Sequence, residues 1–401
     1  MKTANIIGKE VVKHSSRHRF LMRIVRFLSG IFIKPLFRYQ CIREKGPYTP
    51  TLVISNHNTD LDPPLIAYGF SEHLYFVASE HALRGGFASK ILQFIFDPIP
   101  INKAQPDSRT LKEIIKRLKA GFSVCIFAEG NRSFNGVTQP LTLATAKLVK
   151  LTRADLITFR IEGGYFTTPR WGKKLRRGKT AGKVTGRYPA KDLAAMTADQ
   201  VLDVIERGIR EDAYERQKEI PVRYRGKDLA ENIETALYLC PLCKKIGTVR
   251  SRGSRFFCPC GLDGIYTETG FLEGENLPFS TITEWARWQT KQLAEIINGI
   301  ETSTAICVDE KQQLFTFKTA AEKTLAGEGP MFISRTEFHC AGEVFPLEQI
   351  KQFAIIGKMT LLFSLKGGTQ YEIRSPYPRS ALKYLEIFQI LQNENEQAAS
   401  P

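Results

Sequence analysis

At 401 residues, 43% apolar and 24% charged, the chain is long enough for two or three domains with a sizeable core, and its composition is that of a globular rather than a disordered protein. Its formal net charge of +16 and pI near 9.4 ask for an anionic partner: nucleic acid, an acidic membrane surface or a phosphorylated substrate. The first eighteen residues are polar and basic with no apolar h-region, so no secretory signal is expected.

The charge is uneven. Residues 1–50 hold eleven Lys/Arg and two acids, a net of +9. Within this leader, Phe20 to Phe37 is apolar but broken by Arg23, Arg26 and Lys34. It falls short of the roughly 20 clean apolar residues a spanning helix needs. Phe20, Ile24, Phe27, Leu28 and Ile31 share one helical face, with Arg19, Arg23 and Arg26 beside it. The pattern predicts an interfacial amphipathic helix whose Arg23 and Arg26 meet lipid headgroups. A helix capping the core is the plainer reading, and the two are compatible.

Residues 46–235 alternate strand-like and helix-like runs: strand 51–55, helix 63–70, strand 74–78, helices 86–96 and 107–120, strand 123–128, helix 142–152, strand 156–161, then helix 199–217. Such alternation predicts a layered α/β fold. Two polar segments each follow a buried-strand run. The first is Ser55-Asn56-His57-Asn58-Thr59-Asp60-Leu61-Asp62; the second is Ala128-Glu129-Gly130-Asn131-Arg132-Ser133. Active sites of α/β proteins lie at such strand ends. A histidine five residues before a carboxylate can be a base oriented by an acid, and an arginine beside a glycine can clamp an anion. Asp62 also precedes Pro63-Pro64, so it can cap a helix as well as orient His57. Asp60 is the competing carboxylate. Glu129 and Arg132 are, in the plainer reading, a surface ion pair of little worth. No Gly-x-Ser-x-Gly elbow occurs, so Ser133 is a supporting hydrogen bonder rather than a nucleophile.

Together these motifs resemble the glycerolipid acyltransferases of the lysophosphatidate acyltransferase type. His57 and Asp62 match the family's His-x4-Asp, and Glu129, Gly130, Arg132 and Ser133 match its downstream segment. Ala128 and Asn131 replace the usual proline and threonine. The middle motif appears only as Pro98-Ile99-Pro100-Ile101-Asn102-Lys103, and Ile157-Thr158-Phe159-Arg160 stands where the later Pro-Val segment is expected. The resemblance covers roughly residues 20–215. It implies His57 as general base, Asp62 orienting it, Glu129 and Gly130 shaping the acceptor pocket, Arg132 holding a phosphate, and Lys103 adding charge. It implies acyl-CoA or acyl carrier protein as donor, lysophosphatidate as acceptor and no catalytic cofactor. Glycerol-3-phosphate or another lysophospholipid is the alternative acceptor.

Between Arg170 and Lys191 there are nine Lys/Arg and no acid. With its glycines and Trp171, this run predicts a loop on phospholipid headgroups, touched by Arg170, Trp171, Lys173, Lys174, Arg176 and Arg177. A solvated charge run is the plainer reading. Residues 236–272 carry Cys240-Pro-Leu-Cys243 and Cys258-Pro-Cys260, a ribbon-like set of four thiols that predicts a structural zinc ion. A disulfide or a decayed site is the rival. The other cysteines, Cys41, Cys125, Cys307 and Cys340, are scattered as ordinary thiols. Residues 280–401 begin with a helix around Trp285 and Leu293. Short strand-like runs then follow from 304, and a helix over 380–391 precedes a polar tail after Asn393. Strands closed by one helix predict a mainly-β domain like a pleckstrin-homology or GRAM barrel.

The sequence thus predicts an α/β protein in four zones: a leader over 1–45, an acyltransferase domain over 46–235, a zinc ribbon over 236–272 and a barrel over 280–401. It would work peripherally on the cytoplasmic face of a phospholipid membrane, with nucleic acid an unlikely partner. The competing class is a non-catalytic membrane- or nucleic-acid-binding adaptor.

Overall fold

A computed structural model of the protein describes residues 16–44, 49–83, 86–102, 108–317 and 323–399. The chain forms two compact units, one of residues 1–169 and 176–225, the other of 170–175 and 226–401.

The first unit is a seven-stranded sheet in the order β1-β7-β6-β2-β5-β3-β4. Its strands are β1 (Gln40–Cys41), β2 (Thr51–Ser55), β3 (Leu74–Ser79), β4 (Ile99–Ile101), β5 (Ser123–Phe127), β6 (Asp155–Glu162) and β7 (Ala181–Tyr188). Strands β2 to β6 run parallel and β7 runs antiparallel to β6. All five residues of β2 are buried, as a central strand covered on both faces requires. One face is packed by Ile114 and Leu118 of a helix over Ser108–Lys119, Ala146 and Val149 of Leu143–Thr152, and Val201, Ile205 and Ile209 of Ala198–Ile209. The other carries Met22 of a helix over 16–36, α1, and Ile66 and Ala67 of α2 (Asp62–Gly69).

Most predicted elements appear within a residue or two. The helix expected over 199–217 is two, because Asp212 turns back to accept the Tyr214 and Glu215 N–H groups and starts a new helix at Ala213. The predicted loop over 170–191 contains β7. Its glycines serve close packing rather than flexibility: a Cβ on Gly178 would strike the Tyr224 ring, and one on Gly182 the Tyr39 hydroxyl.

Helix α1 takes one π-turn over Ser29–Ile33. His18, Met22 and Ser29 face inward, and the Arg26 Nη1 donates to the Phe70 and Glu72 carbonyls at 2.9 and 3.3 Å. Arg26 is therefore an anchor of the helix rather than a headgroup contact, whereas Arg23 is exposed. The predicted apolar stripe does face outward: Phe20 (60% exposed), Ile24, Phe27 (67%), Leu28 and Ile31, joined by Phe32. Phe94 and Ile91, on α3 (Gly86–Phe96), are exposed too, and the Arg17 guanidinium lies over the Phe94 ring. Among the described residues no helix is long and apolar enough to cross a membrane.

The second unit holds two antiparallel sheets. A four-stranded one runs β11-β10-β9-β8, from β8 (Arg250–Arg252), β9 (Arg255–Phe257), β10 (Asp263–Tyr266) and β11 (Leu272–Glu273). A seven-stranded one is built from residues 307–374. Between them lies α4 (Ile282–Asn298), opened by a Thr281–Glu284 capping box. The chain closes with α5 (Leu382–Ala399), whose Tyr384 and Phe388 rings pack on Phe338 and Phe353 of the larger sheet. This helix runs on through the polar tail expected to fray after Asn393. The headgroup reading of 170–176 fails for three residues. Trp171 is wholly buried, edge-on to Tyr266, and Arg170 donates to the Gly357 and Ile355 carbonyls. Arg176 is buried in the first unit. Lys173 and Lys174 are exposed but paired with Glu231 and Asp228, and the exposed Arg177 pairs its backbone with Arg225.

Candidate active site

Strands β2 and β5 are parallel neighbours in which Ser55 pairs with Phe127. Two residues beyond each lie His57 and Glu129, so the register alone brings the two polar segments together. The His57 backbone N–H donates to Glu129 Oε1 at 2.7 Å, and the Gln139 N–H to Glu129 Oε2 at 2.8 Å. Glu129 is thus a half-buried acceptor that ties the histidine loop to the turn after β5, in place of the surface ion pair with Arg132. Burial pushes its carboxyl up to about 8, against the two backbone N–H groups that favour the charged form.

His57 Nδ1 lies 2.8 Å from Asp62 Oδ2, and its ring stacks on Phe127 with centroids 4.2 Å apart. Asp62 is fully buried at the first position of α2. Its carboxylate also accepts the Asn58 N–H (2.6 Å), the Thr59 N–H (2.9 Å) and the Thr59 hydroxyl (2.8 Å). Four donors on one carboxylate hold it rigid and fix the imidazole tautomer with its proton on Nδ1. The other ring nitrogen is then free of that proton, the state a general base needs. The capping reading fails: no side chain caps α2, whose first residue is Asp62 itself, and the Asp62 oxygens instead close the turn before the helix and aim the ring.

Two residues that the sequence reading passed over brace this loop. Asn56 exchanges two hydrogen bonds with the Ile161 backbone, both 2.8 Å, and the Asn58 amide donates to the Ile161 carbonyl at 3.0 Å. They lash the β2 exit to the β6 exit. Three asparagines or threonines flanking one histidine were the available signal.

The second segment turns on Gly130, at φ +68°, where an added Cβ would meet nothing within 4 Å. Glycine is needed for the left-handed backbone, and the space beside it stays open. Arg132 leans over the histidine loop: its Nη2 is 3.3 Å from Asp60 Oδ2 and its Nη1 donates to the Thr168 carbonyl at 3.3 Å. Ser133 is buried. Its N–H donates to the His57 carbonyl, and its hydroxyl accepts the Gly136 N–H and meets Asn135 Oδ1. It is a turn brace, as the lack of an elbow motif implied. Lys103 lies outside the described residues.

In the second unit Cys240, Cys243, Cys258 and Cys260 place their sulfurs within 4.8 Å of one another. Cys240 and Cys260 are 3.5 Å apart and Cys243 and Cys258 3.9 Å. A tetrahedral ion with Zn–S bonds of about 2.3 Å spaces its thiolates about 3.8 Å apart, so the donor set fits such an ion. All four are free thiols, against the disulfide rival. Although burial opposes ionisation, the Lys245 backbone N–H and the neighbouring Cys240 and Cys260 thiols lower Cys243 to about 7. The tighter Cys-x-Cys is accommodated because Gly261, at φ +102°, turns the chain back for the Cys258 N–H to reach the Leu262 carbonyl.

Residues 38–162 match the family described as Acyltransferase. No curated protein matches the chain. The crystal structure of the 1-acyl-sn-glycerophosphate acyltransferase PlsC from Thermotoga maritima is similar to 51% of this chain and 87% of its own, at 20% identity and a TM-score of 0.40. The stretch matched by the family holds every residue of the His57–Asp62 and Glu129–Ser133 segments. The part of the chain that holds both polar segments is therefore similar to the Acyltransferase family, and the second unit holds a four-thiol cluster able to bind a metal ion.

Proposed function

We propose that the protein transfers a fatty acyl group from acyl-CoA or acyl carrier protein to the free hydroxyl of 1-acyl-glycerol-3-phosphate, giving phosphatidate. The observation that carries this reading is the His57–Asp62 pair at 2.8 Å beside Arg132, at the end of adjacent parallel strands. His57 Nε2 takes the acceptor's hydroxyl proton as its oxygen attacks the thioester carbonyl. The new C–O bond forms, the C–S bond breaks, and the proton passes to the departing thiolate. Asp62 holds the ring and stabilises its charged form; Arg132 holds the acceptor phosphate. General-base assistance supplies on the order of 10²–10⁴ in rate, and positioning much of the rest.

The donor and acceptor are amphiphiles, and the outward apolar stripe of α1, with Phe94 and Ile91 of α3, supports attachment to one leaflet. The exposed Arg23 suits an anionic, cytoplasmic-facing surface. The four thiols would hold a structural zinc ion, and the seven-strand sheet closed by α5 supports a barrel of the pleckstrin-homology type.

The test is an assay of purified protein with labelled acyl-CoA and a panel of lysophospholipids plus glycerol-3-phosphate, with products separated by headgroup. His57→Ala should lose at least a hundredfold in rate in a protein that keeps its melting temperature. Near-normal turnover in that variant would refute the mechanism, and a product other than phosphatidate would replace the acceptor.

A further inference from the structure

Asp60 stands in the catalytic loop with its carboxylate on Arg132 of the neighbouring segment rather than on the loop backbone. Asp62 takes the four hydrogen bonds that shape the turn; Asp60 is 82% exposed on its side chain. Its carboxylate nonetheless lies on the Arg132 guanidinium, Oδ2 to Nη2 at 3.3 Å, while Nη1 of the same arginine is turned to the Thr168 carbonyl. An exposed ion pair is worth little in stability. Its place matters more: the carboxylate lies against a guanidinium that is only 12% exposed and that the proposed function assigns to the acceptor phosphate.

We propose that Asp60 is a charge filter in the acceptor subsite, disfavouring phosphomonoesters and pairing with the ammonium of acceptors whose phosphate carries an amino-alcohol. The inference rests on the reading of Arg132 as the phosphate clamp. A dianionic phosphomonoester reaching Arg132 must displace Asp60 or lie beside it, like charge against like. A phosphodiester with a cationic arm keeps one negative charge for Arg132 and brings a positive one to Asp60. Two unit charges about 4 Å apart in water interact by an amount equal to about fivefold in affinity. Gly130, two residues before Arg132, is exposed, and an added Cβ there would meet nothing within 4 Å. Asp60 therefore sets the ranking of acceptors without touching the reacting atoms. Lysophosphatidate remains a substrate, with affinity held down, and zwitterionic lysophospholipids gain.

The experiment compares kcat/KM for lysophosphatidate and for lysophosphatidylethanolamine in the wild-type protein, Asp60→Asn and Asp60→Glu. Asp60→Asn should raise the value for lysophosphatidate about three- to tenfold and lower it for the ethanolamine acceptor by a similar factor. Asp60→Glu should restore the wild-type ratio. Added salt should shrink the effect, because the pair is exposed. A merely structural aspartate would move both acceptors together. A ratio that stays within twofold in Asp60→Asn overturns the proposal while leaving acyl transfer intact. If the wild-type protein acylates neither acceptor, the functional reading fails, and binding decides the filter. Calorimetric titration with glycerol 3-phosphate and glycerophosphoethanolamine should then show the same opposite shifts in Asp60→Asn, and weakening of both in Arg132→Ala. Binding indifferent to Asp60 overturns it there too.

Discussion

Glu129→Gln is the sharpest probe of how the site is assembled. Both carboxyl oxygens accept a backbone N–H, from His57 at 2.7 Å and from Gln139 at 2.8 Å. Glutamine keeps the size and shape, but its –NH2 can accept nothing, so one of the two half-buried N–H groups faces another donor. Leaving one buried donor unmet costs about 1–3 kcal/mol. In a unit of this size 1 kcal/mol corresponds to about 2–4 °C, so the melting temperature should fall by about 2–12 °C. The activity loss should be larger than that suggests. If the orphaned group is the His57 N–H, the loop that carries the base relaxes, and a misplacement of about 1 Å costs about a hundredfold. Glu129→Ala orphans both donors and should be worse in both measurements. The assays are thermal unfolding and acyl transfer at saturating donor. A Glu129→Gln protein with unchanged melting temperature and full kcat/KM would refute the view that this carboxyl builds the site from beneath.

Further outcomes follow from other features. His73 is buried between His18 and Tyr75 with neither ring nitrogen hydrogen-bonded, and burial, then His18, Arg117 and Arg26, lower it to about 3. Because its folded pKa lies below the unfolded value near 6.5, stability is full above about pH 6.5 and falls as pH drops toward 3, by up to about 1.4 kcal/mol per pH unit. His73→Phe should flatten that slope between pH 4 and 6 in unfolding titrations, and leave stability at pH 7.5 unchanged or higher. Metal analysis should find one zinc per chain, and Cys243→Ser should lose it along with stability of the second unit; a full zinc content in that variant would exclude Cys243 as a ligand. Phe20→Glu with Phe27→Glu should weaken binding to anionic vesicles at least tenfold, taking about 1 kcal/mol or more per shallowly buried phenylalanine. Flotation unaffected by the pair would remove α1 from the attachment surface.

Much of the site was legible in the sequence because its residues follow strands whose apolar runs are unmistakable. His57, Asp62 and Gly130 needed only their local spacing. What joins them is not local. The pairing of Ser55 with Phe127 depends on strand order, and the grip of Asn56 and Asn58 on Ile161 spans about a hundred residues of sequence. Glu129 therefore looked like a surface partner of Arg132 when it is a half-buried acceptor of two backbone N–H groups. The basic run from Arg170 misled for a physical reason. Charge and glycine usually mark solvent and flexibility, but here Arg170 satisfies carbonyls, Gly178 and Gly182 admit aromatic side chains, and β7 pairs with β6. The outer stripe of α1 was legible because helical periodicity is local; its inner face, with His18 and Arg26, was not, since its partners lie some fifty residues on.

The excursion of Arg170–Leu175 into the second unit means that the chain passes between the units at three points, and no single cut yields two whole pieces. A fragment ending at 225 would carry Trp171 without its burial partners Tyr266 and Lys358, and one starting at 226 would have a vacancy where that indole belongs. During synthesis the hexapeptide leaves the ribosome before anything it packs on, so the second unit can close only around a segment already tethered at both ends. We expect the fragments 1–225 and 226–401 each to expose apolar surface and to aggregate alone. Co-expression should rescue both, and a well-behaved 226–401 fragment would show that the inserted strap is dispensable. The practical unit of inheritance and of engineering is then the whole chain: recombination that swaps the carboxyl-terminal half must carry a six-residue insert in the amino-terminal half along with it.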